Sequence, residues 1–163
     1  MIVDALLALA GSILGNTVTG QNVFGNGTSV LSTNTVDLSS GGIPSGQVRD
    51  IGEGSDYVFG RFEVTTAFTG GTSCEFQVVT ADDAALSTNL KVLGTTGAIP
   101  VASLTLGARF ACDVNPVIGS KGQRYIGLRA VNVGNNTAGA IYGDIGAEIQ
   151  DGAKFYPSGF AVL

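Results

Sequence analysis

Between Cys74 and Gly134 the apolar residues of this chain recur at every second position, and residues that turn a backbone interrupt them. Phe76, Val78 and Thr80 fall on one face ahead of an Asp82-Asp83 corner. Ala102, Leu104 and Leu106 share a face, then Phe110, Cys112 and Val114, then Ile126, Leu128 and Ala130. Successive side chains on extended backbone point to opposite sides, so this spacing predicts strands with one buried face. Gly94, Gly97, Pro100, Gly107, Pro116, Gly119 and Gly122 supply the corners between them. No helix long enough to matter is expected in the stretch.

The rest of the chain attaches to that core. Gly15–Ser32 is rich in Gly, Asn, Thr and Ser, and Asn26-Gly27 predicts a small hairpin. Residues 32–38 alternate as a short strand. Val58, Gly60, Phe62 and Val64 face one way in the clearest outer strand, with Tyr57, Phe59, Arg61, Glu63 and Thr65 opposite. Gly70-Gly71 then predicts a hairpin leading to Cys74. Ile141, Gly143, Ile145, Ala147 and Ile149 are expected inward, and Tyr142, Asp144 and Glu148 outward, as in a sheet with one wet face. About eight strand-like runs punctuated every 8–12 residues predict an all-β jelly roll or β-sandwich. The length of 163 residues fits a single domain, 1–163.

Both ends are apolar. Met1–Leu14 reads as an N-terminal arm or short helix packed on its own domain or on a neighbour. Its only early charge is Asp4, whereas a secretory signal carries basic residues ahead of its apolar run. The tail 152–163 carries Phe155, Tyr156 and Phe160 and is expected to dock on something. Hydrophobic residues make up 44% of the chain and charged ones 13%, against a usual charged share of about 25%. No window approaches the roughly 20 apolar residues of a membrane span, so the apolar surplus is assigned to the domain core or to a partner.

Net charge is −5, from 8 basic and 13 acidic residues. A basic patch able to neutralise phosphates is not available, which excludes nucleic acid and anionic membrane as expected partners. There is no His, so the commonest general base and metal ligand is missing, along with every Ser-His or Cys-His nucleophile. Asp82-Asp83 lacks the alternating oxygen ligands of a calcium loop and reads as a solvated turn. Gly119-Ser120-Lys121-Gly122 lacks the spacing of a phosphate loop. Cys74 and Cys112 read as small buried hydrophobes, with a bridge between adjacent strands left open. Asn26-Gly27-Thr28 and Asn135-Asn136-Thr137 match the glycosylation pattern and read as turns. No cofactor, metal or catalysis is expected.

Six pieces in order, MIVDALL, STNTVDL, RDIGEG, TADDAALSTNLKVLGTTGAIPVASL, GQRYIGLRAVNVG and TAGAIYGDIGAEIQD, resemble the capsid cement (decoration) proteins of tailed bacteriophages, the family typified by the cement protein of a Bordetella phage. The resemblance spans most of Met1–Asp151. Gly15–Ser32 is longer than the family pattern, and the tail after Asp151 is additional. The resemblance implies a jelly roll without catalysis that sits as a dimer or trimer on the outer face of an HK97-type shell. There it clamps neighbouring major capsid subunits, after synthesis in the host bacterial cytoplasm. Met1, Ile2, Val3, Leu6, Leu7, Phe155, Tyr156 and Phe160 are the expected contacts to shell or sister subunits. The competing reading is a carbohydrate- or cell-surface-binding β-sandwich, which calls for an exposed aromatic platform; the chain has no Trp and four Tyr.

Overall fold

The computed structural model describes residues 7–14, 17–38, 58–114 and 124–146. These hold twelve strands and no α-helix. Six are short: β1 (Ala8–Ala10), β2 (Ser12–Leu14), β3 (Thr17–Thr19), β4 (Gln21–Asn22), β5 (Ser29–Leu31) and β6 (Val36–Asp37). The others are β7 (Phe59–Gly70), β8 (Ser73–Ala81), β9 (Lys91–Pro100), β10 (Arg109–Asp113), β11 (Tyr125–Val133) and β12 (Asn136–Gly146). All pair antiparallel. One sheet runs β1-β12-β7-β10, with β4 also on β12; the other runs β5-β11-β8-β9, with β6 also on β11. β2 and β3 pair only with each other. The protein is an all-β antiparallel sandwich.

Alternation puts one face of each long strand into the space between the sheets. Gly60, Phe62 and Val64 of β7, Cys74, Phe76 and Val78 of β8, and Ile126, Leu128 and Ala130 of β11 are all buried. Phe62 stacks on Phe76 across the two layers with centroids 5.2 Å apart, and Phe68 and Phe110 each lie 6.1 Å from Phe76. Each such fully buried side chain contributes about 1.5–3 kcal/mol, so the interlayer core dominates the stability. Cys74 and Cys112 belong to it as free thiols, and no bridge joins them.

The expected hairpins at Gly70-Gly71 and Asn26-Gly27 are not hairpins. β7 belongs to one sheet and β8 to the other, and the same holds for β4 and β5. The turn chemistry was read correctly: Gly71 sits at φ +61, and a Cβ there would run into Asn136 Oδ1. The chain crosses between sheets at these turns, again after β9 through a 3-10 turn at Val101–Ser103, and again at Gly134 between β11 and β12. The sandwich is therefore a set of ribbons, each giving one strand to each layer, an arrangement compatible with a jelly roll.

Other expectations also change. Ala102, Leu104 and Leu106 do not share a strand face: Ala102 is in the 3-10 turn, Leu104 is buried and Leu106 is 72% exposed. The outer face of β8 is not wet at Val79 and Ala81, because the loop 82–90 folds Leu86 over them in a second small core. Tyr142 and Asp144 are buried rather than exposed. Asp144, 2% exposed, receives Arg61 Nε at 2.6 Å and Arg61 Nη2 from the neighbouring strand, and the Tyr142 hydroxyl donates to it at 3.3 Å. Ala147, Glu148 and Ile149 lie outside the described residues.

Residues 8–14 form strands and not a helix, and the first of them packs on the protein's own sheet. Ala8–Ala10 is an edge strand on β12, at Asp144 and Gly143, and β4 resumes that pairing at Ile141 and Ala140. β1 and β4 thus act as one edge strand, interrupted by the β2–β3 hairpin.

Candidate functional site

Several of the titratable side chains of the described residues are engaged in holding the fold. Asp83 accepts the Thr88 backbone N–H at 2.6 Å, the Ser87 hydroxyl at 2.8 Å and the Ser87 N–H at 2.9 Å, which hold its carboxyl below the usual range. Asp82 accepts Asn89 Nδ2 at 2.5 Å. The acidic corner is closed by its own donors, and its work is to hold the loop that inserts Leu86. Burial pushes the Cys74 thiol up to about 12 and the Cys112 thiol up to about 11, so both stay protonated at neutral pH and shielded from reagents. Among the described residues no group of three or more His, Cys, Asp or Glu is placed to hold a metal, and no helix is long and apolar enough to cross a membrane. Gly119-Ser120-Lys121-Gly122 lies outside the described residues.

What the fold does create is a division of charge. Residues 5–36, 64–74, 92–108 and 130–143 contain no Asp, Glu, Lys or Arg. The sandwich brings parts of all four to one end, where 23–28, 70–73, 100–104 and 133–136 cross from layer to layer side by side. In the first sheet the charged side chains begin at the rows of Glu63, Arg109, Arg61 and Asp144 and continue away from that end. In the second, Arg129, Lys91 and Asp37 lie farther out along the strands. Glu75 comes nearest to the crossings. Its carboxylate is turned toward the next row outward by Thr95 Oγ1 and Gln77 Nε2, each donating at 2.6 Å, and these bonds depress its pKa. Leu38, Val58, Val114, Arg124 and Gly146, which border the stretches outside the described residues, lie at the far end.

Polar groups lace the crossings together. Asn132 Nδ2 donates to the Val23 carbonyl at 2.8 Å and to the Thr28 carbonyl at 3.1 Å, while Asn136 Nδ2 donates to Asn132 Oδ1 at 2.7 Å and to the Ser73 carbonyl at 3.3 Å. Gly27 N–H donates to the Gly134 carbonyl at 2.9 Å, Thr72 N–H to Val133 at 2.8 Å, and Val101 N–H to Thr72 at 3.1 Å. Asn132 and Asn136 are buried, so these bonds form away from bulk solvent, while Asn136 Oδ1 has no partner among the described residues. The network fixes the outline of the end.

Apolar side chains stand out from the same uncharged region. Phe24 and Val133, the latter 50% exposed, flank the Asn26–Asn135 bridge, and Leu106 stands beside the uncharged rows of β7. The β2–β3 hairpin projects from the sheet edge with Leu14 84% exposed and Val18 exposed. Two other exposed apolar residues, Leu7 and Val92, lie elsewhere. Of the residues expected as contacts, only Leu7 is described; it is exposed, just ahead of β1. Met1, Ile2, Val3, Leu6, Phe155, Tyr156 and Phe160 lie outside the described residues. Sequence reasoning looked to the chain ends and did not consider the crossings. The signal was the absence of charge from four separated segments, which acquires meaning only when the fold gathers them.

Among the described residues the molecule is an all-β sandwich whose layer crossings at one end carry no charged side chain and expose Phe24 and Val133. The chain belongs to the Bbp16 family, whose model matches residues 18–145. That match begins inside β3 and runs to Ile145, the last residue but one of β12, leaving β1 and β2 ahead of it. No curated protein matches the chain.

Proposed function

We propose that this chain is a structural cement protein of a tailed-phage head. In this reading it binds the outer surface of an HK97-type capsid shell as a homo-oligomer, dimer or trimer, and clamps neighbouring major capsid subunits; it is not an enzyme. It is made in the host cytoplasm and ends on the virion exterior. The observation that carries the reading is membership in the Bbp16 family over most of the chain, alongside the ordered six-piece resemblance to phage cement proteins. The sandwich, the low charge and the exposed apolar groups on a charge-free region agree with adhesion to a protein surface.

The mechanism is thermodynamic linkage. A ligand that binds only the assembled, expanded shell stabilises it by about 2.7 kcal/mol per site at a hundredfold excess over Kd. An oligomer that touches several shell subunits gains further through effective concentration. Many modest clamps then resist pressure from packaged DNA. The apolar residues Met1, Ile2, Val3, Leu6, Leu7, Phe155, Tyr156 and Phe160 are candidates for contacts to the shell or to sister subunits of the oligomer in the same scheme.

The test is co-sedimentation of the purified protein with undecorated expanded shells, followed by thermal disruption of the decorated particles. Saturable binding and a raised disruption temperature are expected. Failure to bind shells, with glycan binding by the free protein in their place, would sink the reading.

A further inference from the structure

We infer that the protein seats end-on, with the uncharged crossing end against a charge-poor protein surface of the shell and the charged end toward solvent. This rests on the cement reading and adds which part of the molecule makes the contact and what chemistry meets it. Four segments far apart in sequence lack charge, and the fold brings them to one end of a molecule whose net charge is −5. A solvent-facing surface normally carries about a quarter to a third of its residues as Lys, Arg, Glu or Asp. Protein interface cores are depleted in charge and enriched in aromatic side chains. Phe24 and Val133 fit that pattern at the crossings.

Charge complementarity fixes the class of partner. A partner held by ion pairs would meet the Arg109–Glu63 region in the middle of the first sheet or the Arg124–Asp37 region at the far end. Among the described residues the crossings themselves carry neither sign, and the nearest charge, Glu75, is held toward the next row outward, so the partner surface is one that loses little on being stripped of water: apolar and neutral polar groups. The Asn132–Asn136 network holds the four crossings in one arrangement before contact, which lowers the ordering cost of docking. Meanwhile the charged end keeps the acidic molecules soluble and mutually repelling on a crowded shell.

The experiment uses the full chain and undecorated shells assembled from the cognate major capsid protein. Val133 and Val92 form a matched pair, 50% and 45% exposed, one at the crossing end and one away from it. V133D and V133K are both expected to weaken shell binding at least tenfold. V92D and V92K are expected to bind within twofold of wild type, and F24D to weaken binding like V133D. Wild-type affinity should change less than about threefold between 50 and 500 mM salt, because no ion pair is being screened. Far-UV circular dichroism and the melting temperature of each free variant separate lost docking from lost folding. Normal binding by V133D and V133K, a loss by V133D that V133K does not share, or loss confined to the Val92 variants would overturn the end-on assignment while leaving the cement reading intact. So would free wild-type protein whose own oligomer disappears in V133D, since the end would then be a contact between copies. No shell binding by wild type would overturn both.

Discussion

Replacing Asn132 tests whether the crossings are held by a dry polar network or merely by shape. The side chain of Asn132 donates to the Val23 and Thr28 carbonyls and accepts from Asn136 Nδ2. In Asn132→Ala the Thr28 carbonyl keeps the Asn132 backbone N–H at 3.0 Å, and Asn136 Nδ2 keeps Ser73 at 3.3 Å. The Val23 carbonyl loses its amide donor, and Asn136 is left with its longer bond. An unsatisfied buried group costs about 1–3 kcal/mol, so the loss should be about 2–4 kcal/mol, with Tm lowered by roughly 5–15 °C at 2–4 °C per kcal/mol. Asn132→Asp has nearly the same volume but cannot donate, and it faces two carbonyls with a charge in a buried site. It should therefore be worse than Ala. Urea unfolding followed by far-UV circular dichroism gives the comparison at constant m. If the Asp variant proves as stable as wild type, or clearly more stable than Ala, packing rather than hydrogen bonding holds the crossings and the reasoning fails.

Asp144→Asn should cost about 3 kcal/mol by leaving the largely buried Arg61 guanidinium without its carboxylate partner. An Arg61→Met, Asp144→Leu double variant should recover much of that in the same urea assay. The thiols predict alkaline weakening. Their folded pKa values lie above the unfolded value of about 8.5, so their contribution is complete below that pH and is lost as pH rises toward 11 and 12. Cys74→Ala with Cys112→Ala should flatten the stability profile between pH 8.5 and 10, and a thiol-reactive chromophore at pH 8 should label wild type only after unfolding. Glu75 gives the opposite limb: hydrogen bonds from Thr95 and Gln77 lower its pKa, so its contribution is present above the unfolded value of about 4.3 and disappears as pH falls. The stability gap between wild type and Glu75→Gln should narrow on titration from pH 6 to pH 3.

The period-two pattern placed the interior faces of β7, β8 and β11 correctly because strand alternation is a local property. Strand pairing is not local. Asn26-Gly27 and Gly70-Gly71 have the backbone freedom of hairpin turns, yet whether the flanking strands pair with one another or part into different sheets depends on what lies beside them. Asp144 and Tyr142 were assigned to the wet face by polarity, since the sequence does not disclose that Arg61 stands opposite on a neighbouring strand. The burial of Val79 and Ala81 depended on Leu86, carried over them by a loop. Leu9 through Leu14 gave too short an apolar run to tell helix from strand. The apolar residues at the two chain ends drew the reading there, and nothing local in the sequence pointed to the crossings.

Because each ribbon passes through both layers, the two sheets cannot be peeled apart one strand at a time. A force that tries to separate them is divided among several covalent crossings at once, like tension on a folded belt stitched along its crease. A domain built this way resists tearing perpendicular to its layers and yields first where short strands are held at a sheet margin, at the β1 and β4 edge. Under load, the domain would therefore fray at its side and hold at its creased end.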